Sequence, residues 1–327
     1  VTRGPARLAA VTAAALLLSP LPGAAAGESA ITAPGPHGPL AGTLSVPSGA
    51  ARGSVVLILP GSGPTDRDGN NPLGVRAAPY RLLAEGLAAR GIASVRIDKR
   101  GMFGSAAATP DANAVTIADY VADTRSWIAA IRARTGAGCV WLLGHSEGGL
   151  VALATAAGRR DPICGLVLLA TAGRPLGAVL RDQLRANPAN APILEAADAA
   201  ITRLAAGGRN DVADLPAGLR PLFASAVQGF LASAFAADPA DLIRRADGPI
   251  LILQGGRDIQ IGEVDARRLA DAAPQARLVL LPEVNHVLKR VATVDRAANL
   301  AAYGDPDRPL APGVVEAIAD FVRTGSR

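Results

Sequence analysis

The chain has 327 residues, half of them apolar and 19% charged, which supplies a substantial core and excludes a disordered, charge-rich polypeptide. Its formal charge of +5 comes mostly from scattered arginines, with lysine only at Lys99 and Lys289. No basic block marks a nucleic-acid surface, so no nucleic-acid partner is expected. Three histidines and two well-separated cysteines do not make a common zinc site, and no phosphate-cradling glycine motif occurs, so neither metal nor cofactor is expected.

Arg3 and Arg7 precede an apolar run from Leu8 to Leu18, and Ala24-Ala25-Ala26 follows as a small-residue cleavage site. This layout predicts a secretory signal peptide over 1–26 and a secreted or periplasmic location. The run is shorter than the roughly 20 residues that span a bilayer, so no stable membrane anchor is expected after cleavage.

Beyond Gly27, residues 31–47 read as a hairpin and 54–59 as a buried strand. A helix is predicted over 78–90, ended by Gly91, and then a strand over 92–98. A helix over 117–134, a strand over 139–143, a helix from Gly149 and a strand over 164–170 complete the first part. Continuous apolar runs separated by helices indicate a mostly parallel sheet covered on both faces. From 173 to 247 the strand pattern gives way to about four helical segments, with Pro175, Pro192, Pro221 and Pro239 near their starts. Strand–helix alternation then resumes: strand 250–254, helix 264–273, strand 276–281 and a last helix over 313–322. The expected organisation is one α/β core built from 27–172 and 248–327, with 173–247 inserted as a helical cap.

Gly144-His145-Ser146-Glu147-Gly148 is a G-x-S-x-G between an apolar strand and a helix. A sharp strand-to-helix turn exposes the serine hydroxyl, and flanking glycines permit the close backbone approach such a turn needs. The hydroxyl is a weak nucleophile until a base takes its proton. Among the three histidines, His145 adjoins the serine and His37 lies in the N-terminal hairpin, which leaves His286, in the loop after the last predicted strand. A carboxylate must orient that imidazole and stabilise its charge. Asp258, on the loop after strand 250–254, is the first choice, and Glu283 is the competitor. Backbone N–H donors for an oxyanion are expected from Glu147, at the helix start, and from Ser62, in the turn after strand 54–59.

Together these elements resemble the α/β-hydrolase superfamily over nearly all of the chain beyond the leader. The order Ser146, Asp258, His286 matches the one expected of that fold. Gly61-Ser62-Gly63-Pro64-Thr65-Asp66-Arg67-Asp68-Gly69-Asn70 and Asp98-Lys99-Arg100-Gly101 are similar to bacterial secreted carboxylesterases, sometimes grouped with serine aminopeptidase-like hydrolases. Family members usually continue the second loop as Gly-x-Ser, whereas this chain has Phe103-Gly104-Ser105. The resemblance implies an α/β-hydrolase fold and hydrolysis of a small-molecule ester through an acyl-enzyme, without a cofactor. Peptidase, thioesterase and lactonase chemistry would use the same residues, and a non-catalytic binding protein on this scaffold is the alternative of another class. Phe223 and Phe230 in the cap are expected to line an acyl pocket, with helix-to-sheet packing as the competing role. Asp66, Arg67 and Asp68 are expected to form a local ion-pair and turn network rather than bind substrate. Because the fold implies that the strands starting at Cys139 and Cys164 are neighbours, these two cysteines are candidates for a disulfide. Oligomeric state is not legible.

Overall fold

The computed structural model describes residues 27–48, 53–158 and 161–325, together with Val1. Apart from Val1, the expected leader over 1–26 lies outside the described residues. The chain enters as two antiparallel strands, β1 (Gly27–Ala33) and β2 (Leu40–Val46), and continues through β3 (Val55–Leu59), α1 (Pro79–Ala88) and β4 (Ala93–Ile97). Next come α2 (Ile117–Thr135), β5 (Val140–His145), α3 (Glu147–Ala156) and β6 (Ile163–Leu169). Between β6 and β7 (Ile250–Gly255) lie only helices and turns: α4 (Leu176–Arg185), α5 (Leu194–Ala205), α6 (Gln228–Phe235) and α7 (Pro239–Ile243). The chain ends with α8 (Glu263–Ala272), β8 (Arg277–Leu281), α9 (Arg296–Ala301) and α10 (Val314–Gly325).

The strands form one sheet in the order β1-β2-β4-β3-β5-β6-β7-β8. Antiparallel pairing is confined to β1 with β2 and β2 with β4, and the six strands from β4 to β8 run parallel. This is an α/β-hydrolase fold. Successive strand residues point to opposite faces, and the buried side chains divide accordingly. Val56, Ile58, Trp141, Leu143, Leu251 and Leu253 pack with α1 and α10. Leu57, Leu59, Leu142, Leu166 and Leu168 pack on the other face with α2, α3 and the helical insertion. Both faces being covered is why these strands read as unbroken apolar runs instead of alternating ones.

Sequence boundaries fall within a few residues of the observed ones, with three instructive differences. β5 runs to His145 and α3 starts at Glu147, so a single residue, Ser146, makes the strand-to-helix transition. Pro192 lies near the start of α5 as expected, inside a 3-10 turn that leads into it, whereas Pro221 lies in a turn well before α6. Helix α9 was not anticipated, because six residues give too short a periodic pattern to read. Its start is set by Asp295, whose carboxylate accepts from the Ala298 N–H at 2.8 Å.

Cys139 and Cys164 are joined, with Cα atoms 5.2 Å apart. The β5–β6 register slips by one residue between Val140 and Trp141, so that Ile163 faces Val140 and Gly165 faces Trp141. Cys164 is the residue left over, a bulge of one that turns its side chain toward Cys139. The bridge lies at the starts of two parallel strands, at the opposite end of β5 from Ser146. Closing a loop across a separation of 25 residues should stabilise the fold by about 2–4 kcal/mol. Reduction is therefore expected to lower the urea midpoint by that equivalent while leaving kcat of the still-folded protein within about twofold, checked by denaturation and activity with and without reductant.

Candidate active site

Ser146 has φ 55° and ψ −119°, a left-handed conformation that costs about 1–3 kcal/mol for a residue with a side chain. Tertiary contacts hold it there. Its N–H donates to the Leu169 carbonyl of β6 at 2.9 Å, and its own carbonyl accepts from Gly149 at 3.0 Å. The flanking glycines are required by contact: a Cβ on Gly144 would lie 2.3 Å from the Gly148 carbonyl oxygen, and one on Gly148 would lie 2.2 Å from the Leu59 carbonyl oxygen. The spacing of G-x-S-x-G thus lets α3 start directly against the ends of β3 and β5.

His286 follows β8 and is almost wholly buried. Its Nδ1 stands 2.7 Å from Asp258 Oδ2. Asp258, past the end of β7, has its other oxygen occupied by the N–H groups of Gln260 (2.7 Å) and Ile261 (2.9 Å). An ionised carboxylate only accepts, so Nδ1 carries the proton and Nε2 keeps the lone pair. Ser146 and His286 line a common cavity of about 170 Å³, shared with Ser62, Tyr80, Gln260 and Tyr303. The competing Glu283 pairs with Arg290 at the surface, at 2.7 Å, and not with His286. His37 is exposed, on the hairpin loop.

His145 has a role that the sequence did not reveal. The carbonyl of His286 can only accept, so the His145 Nε2 at 2.8 Å from it must donate. Nδ1 then accepts from the Tyr80 hydroxyl at 2.8 Å, and that hydroxyl accepts in turn from the Gly61 N–H at 2.9 Å. One buried chain of hydrogen bonds therefore joins the 61–62 turn to the His286 loop, and it is complete only with His145 neutral. Burial drives the His145 pKa down to about 3, with the nearby His286 adding to the effect. Tyr80 is held protonated because burial raises its pKa.

The turn after β3 lies against the serine: a Cβ on Gly61 would be 3.3 Å from the Ser146 Cβ. The Ser62 N–H belongs to this turn. Glu147 is the first residue of α3, so its N–H has no partner within the helix and sits at the positive end of the helix dipole. Lys99, in the Asp98-Lys99-Arg100-Gly101 motif, reaches this turn. Its Nζ is buried and donates to the Gly61 carbonyl at 2.7 Å, with Glu147 Oε1 at 3.4 Å.

The 66–70 loop combines local turn bonds at Asp66 with ion pairs from Arg67 and Asp68 to the β4 region. Asp66 accepts from the N–H groups of Asp68 (2.9 Å) and Asn70 (2.8 Å). Asp68 pairs with Arg96, and Arg67 pairs with Asp98, whose carboxylate also accepts from Gly104 N–H at 3.0 Å. The Phe103-Gly104-Ser105 departure keeps the loop anchored: Ser105 donates to the Asp98 carbonyl and accepts from Ala41 N–H, both at 2.9 Å. Phe103 has φ 46° there.

A second cavity, of about 530 Å³, adjoins Glu147 and Gly63 and is walled by Met102, Phe103, Tyr120, Val227 and Phe230. Phe230 meets Tyr120 edge to face, with ring centroids 6.2 Å apart. Phe223 corrects the sequence reading: it is fully buried among the apolar residues of the insertion and gives no surface to the cavity. The sequence places both phenylalanines in the insertion, and only its packing separates their roles. Tyr303 and Gln260, hydrogen-bonded to each other at 3.1 Å, were missed because they sit in segments without strong periodicity.

The fold is that of an α/β-hydrolase, with a serine at the sharp strand-to-helix turn and a histidine–carboxylate pair at the C-terminal edge of the parallel sheet. The chain belongs to the family described as serine aminopeptidase, S33, whose profile matches residues 73–290. It is 25% identical over 256 residues to the esterase EstD of Thermotoga maritima, covering 76% of this chain but only 58% of that protein's length. Among solved structures, it is similar to Est1E from Butyrivibrio proteoclasticus (TM-score 0.55, 16% identity, covering 90% of this chain and 98% of the other). A Pyrococcus furiosus esterase aligns with TM-score 0.58 and 13% identity, over 91% of each chain. A thermophilic esterase from Thermogutta terrifontis aligns with TM-score 0.53 and 20% identity, covering 92% of this chain and all of the other. At these identities the structural likeness shows the fold.

Two outcomes follow from this geometry. Asp258→Asn keeps a partner near Nδ1 but removes the charge that supports imidazolium and the tautomer, so kcat should fall about a thousandfold or more. Glu283→Gln should change it little, and steady-state kinetics of the two variants checks the assignment. A histidine whose folded pKa lies below its unfolded value contributes stability that is present above about 6.5 and lost as pH falls toward about 3. The unfolding free energy should thus fall by about 1.4 kcal/mol per pH unit across that window. In His145→Gln this acid sensitivity should flatten, as urea denaturation at pH 7 and pH 5 would measure.

Proposed function

We propose that the protein is a serine hydrolase that cleaves carboxylic esters through an acyl-enzyme. The observation that carries this reading is the 2.7 Å contact between His286 Nδ1 and Asp258, with His286 and Ser146 lining one cavity. Ser146 Oγ attacks the ester carbonyl carbon while its proton passes to His286 Nε2. The carbonyl oxygen becomes an oxyanion, received by the N–H groups of Ser62 and Glu147. As the tetrahedral adduct collapses, the bond to the alcohol oxygen breaks and His286 returns its proton to that leaving group. Water then repeats the sequence: His286 takes its proton, the carbonyl is attacked, and Ser146 leaves with the proton restored. Asp258 remains ionised and supports the imidazolium in both halves.

The substrate is a small-molecule ester in this reading. The larger, mostly apolar cavity beside Glu147 receives its bulky group, and Phe230 contributes to that wall. The esterase activity named for the Thermotoga relative agrees with this assignment. Peptidase, thioesterase and lactonase activities would draw on the same residues. A non-catalytic binding role is disfavoured, because a pocket that only binds has no need for a strained serine facing an oriented histidine. Location in the periplasm or outside the cell is part of the proposal, supported by the Arg-plus-apolar leader pattern and by the disulfide, a bond characteristic of oxidising compartments.

Ser146→Ala should lower kcat toward p-nitrophenyl esters by more than about a thousandfold and abolish labelling by a fluorophosphonate. Near-normal activity in that variant, or an unlabelled Ser146 in the folded wild-type protein, would remove the proposal. A panel of acyl chain lengths run beside aminoacyl-anilides and thioesters separates the ester reading from its alternatives.

A further inference from the structure

We infer that Lys99 is a positioning residue that aims and polarises the oxyanion donor of Ser62. This inference rests on the reading of Ser146 as nucleophile. The carbonyl that Lys99 grips belongs to Gly61, so the peptide unit it holds is the one that ends in the Ser62 N–H. A planar trans peptide points its C=O and N–H in opposite directions. With the carbonyl oxygen fixed 2.7 Å from Lys99 Nζ, the N–H is directed away from Lys99. A Cβ on Gly61 would be 3.3 Å from the Ser146 Cβ, so this peptide begins beside the serine. The preceding N–H, of Gly61, is held separately by the Tyr80 hydroxyl at 2.9 Å. Buried side chains thus grip both polar ends of Gly61.

The ammonium adds an electrostatic effect. A cation at a carbonyl oxygen draws electron density along the peptide and makes its N–H a stronger donor, as hydrogen bonds in series polarise one another. Lys99 is buried, where such an interaction is less screened than in water. Its second partner, Glu147 Oε1 at 3.4 Å, is the side chain of the residue whose backbone supplies the other donor. One lysine therefore ties together the two segments that form the oxyanion hole, β3's turn and the start of α3. The Tyr120 ring, 5.5 Å from Nζ, covers another side of the charge.

The test compares Lys99→Met, which removes both charge and hydrogen bond, with Lys99→Gln, which keeps a donor but not the charge. Each is assayed with a p-nitrophenyl ester and with a trifluoromethyl ketone that forms a tetrahedral adduct on serine. Loss of a whole oxyanion donor costs about 10²–10³ in kcat, so a misaimed and unpolarised donor should cost about 10- to 100-fold in Lys99→Met, with KM within about threefold. Affinity for the ketone should fall by the same factor as kcat/KM. Lys99→Gln should lie between wild type and Lys99→Met, and it keeps the question open to test if the methionine variant does not fold. Unchanged kcat in a folded variant, a change carried by KM alone, or ketone affinity that does not follow kcat/KM would overturn the inference. Fluorophosphonate labelling of Ser146 in the wild-type protein distinguishes that failure from failure of the esterase reading itself.

Discussion

A single residue makes the turn from the central strand to the helix behind it, and that residue is a serine in the left-handed region. The arrangement depends on contact distances that no side chain beyond hydrogen would permit at Gly144 or Gly148. With α3 docked this closely, the Glu147 N–H, the Ser146 hydroxyl and the β3 turn are brought to one point. The Leu169 carbonyl of β6 holds the serine backbone, so the strain at φ 55° is maintained by the sheet rather than by the turn alone.

Around that point Tyr80, Lys99, His145 and His286 are buried and hydrogen-bonded. Parallel strands β3, β5 and β7 deliver the 61–62 turn, Ser146 and Asp258 to the same sheet edge, and the loop after β8 brings His286 back over it. Such edges bind ligands because every parallel strand ends there and its loops are free to diverge. The His145–Tyr80 chain and the Lys99 contact join these loops to each other through buried hydrogen bonds, where an unmade partner costs more than at the surface. The loops are thereby coupled to the rigid sheet, which is what a site requiring sub-ångström placement needs.

The disulfide lies at the opposite end of β5 from Ser146, whereas the helical insertion reaches over the site. The register shift at Cys164 is confined to the strand starts, and Trp141–His145 then pair regularly with Gly165–Leu169 up to Ser146. The insertion is attached to the core at its start through Asp265, fully buried, which accepts from the N–H groups of Gly173 and Arg174 at 3.1 Å and pairs with the Arg174 side chain. Its α6 then lays Phe230 over the larger cavity while Phe223 stays inside.

Sequence alone determined what depends on local covalent pattern. Apolar runs marked the parallel strands because burial on both faces removes the need for alternation, and G-x-S-x-G marked the elbow because only glycine allows those approaches. His286 was reachable by elimination among three histidines. What the tertiary structure decided were choices between chemically equal residues. Asp258 and Glu283 carry the same group, and only the loop paths give one to His286 and the other to Arg290. Phe223 and Phe230 are the same residue type, and only the packing of the insertion buries one and places the other on the cavity wall. Lys99, Tyr80 and His145 have partners 38, 65 and 141 positions away in the chain. Side chains that act by hydrogen-bonding to distant backbone leave no periodic trace in the sequence, because the sequence does not record which carbonyl the fold will place before them.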